Sequence, residues 1–146
     1  MDVRIAILLT LVTISASISL TAALSNSDKS MIETTVTGTL MKADVIAYGL
    51  AEIDSGNIMH VWYIPKSSDL DTIVGGIGYV VGVYVAACDM YPELSDMKLM
   101  MGTKDHVTGE MHCERAWADE VRKDPDGSYN SNDLGLVGLK VKETFK

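Results

Sequence analysis

Two cysteines, Cys88 and Cys113, are the residues of this chain whose number and placement first suggest chemistry. An even cysteine count in an exported chain is typical of a disulfide, and closing a loop of about 25 residues stabilises a fold by roughly 3 kcal/mol. We therefore predict a bridge that joins a helix to the strand beneath it. The alternative is a pair of buried thiols. Redox catalysis is not expected, because the chain has no C-x-x-C motif.

A loop near the C-terminus groups several oxygen-bearing side chains. Asp124, Asp126, Asn130 and Asp133 lie within the sequence KDPDGSYNSND. Calcium takes six to eight oxygen ligands, so a calcium site on this loop is a secondary prediction. The spacing of an EF-hand and its closing glutamate are missing, and Pro-Asp-Gly is also an ordinary turn sequence. No other cofactor is expected.

Catalytic motifs are not found in the sequence. It contains neither a G-x-S-x-G elbow nor a phosphate-binding glycine loop, and its three histidines are scattered. Met111, His112 and Cys113 carry side chains that suit copper(I), but adjacent strand residues point to opposite faces, so they cannot readily share one metal. We expect a protein that is not an enzyme.

The longest apolar stretch lies between Ser68 and Tyr91, and it predicts one long, Gly-rich, buried helix over residues 68–91. Ser68 and Asp71 fit a capping box, and Pro92 ends the helix. One side of this helix carries only small residues, namely Gly75, Gly78, Gly82 and Ala86. Because small residues let another backbone approach closely, this stripe is a candidate interface, and a homodimer is one expectation. A strand is one alternative, because the stretch is rich in valine. A membrane span is the other, although the uncharged run is shorter than the ~20 residues that a span needs.

The N-terminal residues 1–25 predict either a signal peptide or a membrane anchor. Residues 5–24 form an uncharged run of about 20 residues, which is long enough to span a bilayer. Ala23-Leu24-Ser25 fits the small-x-small rule for signal-peptidase cleavage. In both cases residues 26–146 lie outside the cytoplasmic membrane, either secreted or anchored to its outer face, as a single extracytoplasmic domain.

The remaining pattern predicts an α+β fold with an antiparallel sheet. Hairpins are expected at about 43–64 and 96–117, a final strand at 137–145, and the long helix packed across the sheet. The segment from Met31 to Ala51 reads as extended, because it is rich in threonine and valine. Asp54-Ser55-Gly56-Asn57 predicts a turn.

The net charge of the chain excludes two classes of binding partner. The formal net charge is −8, which argues against nucleic acid and anionic lipid surfaces as partners, because both require a basic face. The sequence therefore favours a small exported domain that binds an unknown protein or small-molecule ligand, with residues 5–24 as a membrane tether if they are retained. The alternative is a structural subunit of a cell-envelope or extracellular filament, assembled through the retained N-terminal helix.

Overall fold

The computed structural model describes residues 23–146. Within them the chain forms four strands and four helices. In chain order these are α1 (Asn26–Met41), β1 (Ile46–Ile53), β2 (Met59–Pro65), α2 (Leu70–Met90), β3 (Met97–Thr103), β4 (His106–Cys113), α3 (Arg115–Asp119) and α4 (Ser131–Glu143). The predicted α+β class is confirmed.

The four strands form one sheet in the order β1-β2-β3-β4. Both β1–β2 and β3–β4 are antiparallel hairpins, but β2 and β3 are parallel. The prediction of an antiparallel sheet is therefore wrong at its centre. The cause is α2, because a helix of about 30 Å carries the chain back along the sheet and starts the next strand in the same direction.

Helix α1 replaces the extended segment that we predicted from Met31 onward. Ser25 caps it by accepting a hydrogen bond from the backbone N–H of Asp28 at 3.0 Å. Ile32, Val36 and Leu40 lie four residues apart and are its buried residues. This helical spacing overrides the strand preference of the intervening threonines.

The predicted C-terminal strand at 137–145 is also wrong, because residues Ser131–Glu143 form helix α4. Val137 and Val141, one turn apart, are buried, whereas Leu139 between them is 53% exposed. Lys140 and Lys142 lie in the last turn, where positive charge suits the helix dipole. Similarly, β4 ends at Cys113 rather than at Trp117.

The core lies between one face of the sheet and the helices. Tyr63 of β2 packs against Gly76 of α2, where a Cβ would lie 3.0 Å from the tyrosine ring. Leu40 of α1 packs against Gly49 of β1, and the ring of Phe145 against Gly109 of β4. Three separate segments of the helical layer thus cover the same sheet face.

Candidate functional site

The opposite face of the sheet carries the side chains that alternate with the core residues. Leu50, Trp62 and Met100 are register neighbours across β1, β2 and β3, so they form an apolar row over the middle of the sheet. Met100 is 7% exposed, although it is not part of the core cluster. We call this surface the open sheet face, and it comprises Tyr48, Leu50, Glu52, His60, Trp62, Ile64, Lys98, Met100, Glu110 and His112.

Charged groups surround the indole of Trp62. Lys104 reaches back from the β3–β4 turn, with its Nζ 5.6 Å from the centre of the Trp62 ring and 2.7 Å from Oε1 of Glu52. His60 stacks on the indole with the ring centres 6.0 Å apart, and its Nε2 is 2.8 Å from Oδ2 of Asp54. Aromatic side chains are enriched at the centre of protein-binding surfaces, and the rim of such surfaces is polar.

The carboxylate of Asp54 is held in its charged form. Partial burial opposes this, but hydrogen bonds from His60 and from the backbone N–H groups of Ile58 and Gly56 lower the pKa of Asp54 below its usual range. The same bonds close the predicted 54–57 turn, in which Asn57 adopts a positive φ of 61°. The turn therefore fixes His60 at one end of the open sheet face.

The edge of β1 is closed by helix α1. The backbone N–H groups of Ile53 and Ala51 donate to Glu33 Oε2 at 2.8 Å and to Thr37 Oγ1 at 3.0 Å. Four residues of a helix rise about 6 Å along its axis, and two residues of a strand rise about 6.8 Å. Side chains one turn apart on α1 can therefore each reach the backbone of every second residue of β1. This side-chain pairing leaves the edge without free donors for another strand.

The edge of β4 is closed by the end of the chain. Glu110 and Lys146 exchange backbone hydrogen bonds of 3.2 and 3.0 Å. The backbone N–H of His112 donates to Thr144 Oγ1 at 2.9 Å. Helix α1 and residues 144–146 thus occupy both edges of the sheet along these residues, and a strand added there would have to displace them.

The two cysteines are both buried, and both are free thiols in the structure. The predicted disulfide is therefore not formed in it. Burial raises the pKa of Cys88 to about 11. Burial, with a further contribution from Cys88, raises the pKa of Cys113 to about 12. Neither thiol has the depressed pKa of a reactive cysteine.

The loop predicted to bind calcium uses its oxygen atoms for its own hydrogen bonds. Asp124 accepts a bond from the side chain of Asn130 at 2.9 Å, and Asp133 accepts one from Arg122 Nε at 2.9 Å. Asp126 accepts bonds from within its own turn. Across residues 23–146, no three His, Cys, Asp or Glu side chains are grouped to hold a metal. The calcium site stays a prediction without support from this geometry.

The small-residue stripe of α2 lies on the outward side of the helical layer. A Cβ added at Gly78 or Gly82 would have no neighbour within 4 Å, and at Gly75 it would meet only Val45, at 3.7 Å. Ala86 is partly exposed. The domain's own packing therefore does not require Gly78 and Gly82.

Helix α2 is the one helix of the described region that is long and apolar enough to cross a membrane. Its mean hydropathy reaches 1.7, and 44% of its most apolar window is buried inside the domain. Its contact through Gly76 with Tyr63 places it in the core of a folded domain.

The open sheet face is not among the sites predicted from the sequence. The sequence feature that indicates this face is the run IMHVWYI, residues 58–64. Both its even-numbered and its odd-numbered residues, which point to opposite faces of the sheet, are mostly apolar. We read this run only as a strand. Comparisons with known proteins add no relative, since no family model, no curated protein and no solved structure matched the chain.

Proposed function

We propose that this protein is a membrane-tethered, non-catalytic domain that binds a protein partner outside the cytoplasmic membrane through its open sheet face. The observation that supports binding is the apolar row of Leu50, Trp62 and Met100 on a sheet face that no helix of residues 23–146 covers. A protein partner fits this face better than a small molecule does, because the face is broad and both sheet edges are already closed.

The contacts of the first residues of the folded domain support a retained N-terminal tether. Leu24 is 8% exposed and belongs to the core cluster. Ser25 accepts hydrogen bonds from the backbone N–H groups of Asp28 and Lys29, each at 3.0 Å. Cleavage after Ser25 would remove this cap, which is worth about 1 kcal/mol, together with a buried leucine side chain worth roughly 2 to 5 kcal/mol. Retention of the N-terminal segment avoids both losses.

The intact mass of the protein from its native membranes tests the tether. We expect a mass that starts at Met1 and is found only in the membrane fraction. A mass that begins at Asn26, recovered from the medium, would contradict it. The same spectrum, recorded without reductant, reports on the disulfide, because a bridge between Cys88 and Cys113 lowers the mass by two hydrogens.

Site-specific photo-crosslinking tests the binding face. A photoreactive amino acid replaces Leu50 on the open sheet face or, as the matched control, Leu136 on α4, which is 60% exposed. In the cells that make the protein, we expect position 50 to form crosslinks to protein and position 136 to form none. Crosslinks from position 136 alone, or from neither position, would contradict the proposed face.

A structural subunit of an envelope or filament assembly is the second candidate function. The observation that favours it is the outward stripe of Gly78 and Gly82, where a neighbouring helix could approach the backbone of α2. In that case the substitution Gly82→Leu would disrupt large assemblies in native membranes, as measured by their sedimentation. It would leave crosslinking from position 50 unchanged.

A further inference from the structure

We propose that the outer face of helices α1 and α2 lies flat on the bilayer that holds the tether, with zwitterionic phospholipids as its partner. The inference rests on the proposed function, because it requires that residues 5–24 are retained in the membrane. We call this surface the helical outer face and define it by Met31, Thr34 and Gly38 on α1 and by Gly78, Gly82 and Ala86 on α2. It lies on the side of the domain opposite to the open sheet face.

The helical outer face carries no charged side chain along either helix. On α1, the exposed residues of the range Ser30–Met41 are all serine, threonine, glycine or methionine. The carboxylate of Glu33 is turned to the sheet, where it accepts a hydrogen bond from the N–H of Ile53 at 2.8 Å. On α2, no charged residue occurs in the range Thr72–Cys88. In a chain with 12 basic and 20 acidic residues, this surface can enter the headgroup region without the cost of desolvating a charge.

Two contacts join the outer sides of α1 and α2 into one surface. The hydroxyl of Tyr79 donates to the carbonyl of Thr39 at 3.4 Å, and the hydroxyl of Tyr91 donates to the sulfur of Met31 at 3.4 Å. Between these contacts lies a groove of about 210 Å³ that is lined largely by methionine, valine, alanine and threonine side chains. Met31 and Met90 line it and are 56% and 73% exposed. An apolar groove flanked by tyrosines suits the boundary between headgroups and acyl chains.

The proposed tether leaves no linker between the bilayer and this face. A helix of about 20 residues is about 30 Å long, which is the thickness of the hydrocarbon core, so residues 5–24 are all needed to span it. Leu24 is nevertheless part of the core of the domain and is 8% exposed. Helix α1 therefore begins in the headgroup region. A flat domain covers the helical outer face and turns the open sheet face away from the membrane, where a protein partner can reach it.

The charges around the helical outer face suit a zwitterionic lipid. Residues of both signs border it at each end. At the end where the domain begins they are Asp28, Lys29 and Asp89, and at the other end Lys42, Asp44 and Asp71. Such a rim can contact both charges of a zwitterionic headgroup, whereas the net charge of −8 disfavours an anionic membrane.

Fluorescence quenching by spin-labelled lipid tests the flat placement. The full chain is reconstituted into phosphatidylcholine vesicles that contain phosphatidylcholine with a nitroxide near the headgroup. A fluorophore is attached to the cysteine introduced by Gly38→Cys or Gly82→Cys, where a Cβ meets nothing within 4 Å. Ile64→Cys, at a position 37% exposed on the open sheet face, is the matched control. Both native cysteines are buried, so brief labelling is specific for the introduced one.

We expect the labels at positions 38 and 82 to be quenched at least about twofold more than the label at position 64, because a helical layer about 10 Å thick separates the two faces. A domain that stood upright on its first residues would hold Gly38 about 20 Å from the bilayer, since it lies 13 residues after Ser25. Similar quenching at all three positions would therefore overturn the flat placement. Circular dichroism establishes that each variant folds, and either glycine variant suffices for the comparison.

A second aqueous quencher, iodide, identifies a protein on this face. Labels at positions 38 and 82 that are shielded from iodide but not quenched by the lipid would overturn the inference, because a second copy or another protein would then cover the face. The intact mass separates these failures from failure of the tether. If the chain starts at Met1, only the placement on the bilayer is wrong, and crosslinking from position 50 still tests the open sheet face. A native chain that starts at Asn26 would overturn the tether and the flat placement together.

Discussion

The glycines of helix α2 provide a direct test of the helical layer, because neighbouring positions should respond in opposite directions. Alanine is favoured over glycine inside a helix by about 1 kcal/mol. A Cβ at Gly78 or Gly82 meets nothing within 4 Å, so each alanine substitution should raise the free energy of unfolding by about 1 kcal/mol, and the pair by about 2 kcal/mol.

Gly76→Ala is the matched control on the inward side of the same helix. Its Cβ would lie 3.0 Å from the ring of Tyr63, which is fully buried and cannot move aside. Overpacking typically costs 1–3 kcal/mol. This cost should cancel or exceed the gain in the free energy of unfolding that the higher helix propensity of alanine provides. Urea unfolding of the full chain, followed by circular dichroism, measures the unchanged chain and the four variants. If Gly78→Ala lowered the free energy of unfolding, the outward side of α2 would be covered within the monomer, and our reasoning would be wrong.

Three further predictions concern single contacts. Tyr63→Phe should not destabilise the fold and should stabilise it by up to about 1 kcal/mol in urea unfolding, because the buried hydroxyl has no hydrogen-bond partner among residues 23–146. Thr37→Val should cost about 1–3 kcal/mol in the same assay, because it leaves the N–H of Ala51 without its acceptor; an unchanged midpoint would refute the closure of that edge. Cys88 and Cys113, with pKa values raised to about 11 and about 12, should react with a thiol reagent at pH 8 at least about 100-fold more slowly than free cysteine, and fast labelling would show that they are not buried.

The sequence predicted the centre of the fold better than its two ends. Residues 70–90 form the expected helix, because their apolar positions recur at helical spacing whatever their individual propensities. At both ends, threonine and valine suggested strands where the structure has helices. In α1 the decisive contacts are those of Glu33 and Thr37 with the edge of β1, and these are tertiary. No local pattern contains them, because the strand lies more than ten residues away.

The parallel pairing of β2 with β3 could not be read from either strand alone, yet it explains the run IMHVWYI. A strand covered on one face alternates between apolar and polar residues, whereas a strand at the centre of a parallel sheet is usually covered on both faces and reads as a continuous apolar run. In β2, Val61 and Tyr63 are buried beneath the helices, but Trp62 and Ile64 face outward in the monomer. The sequence of β2 is thus typical of a strand that is covered on both faces, whereas the helices of the described residues 23–146 cover only one face of the sheet. A partner on the open sheet face would supply the second cover.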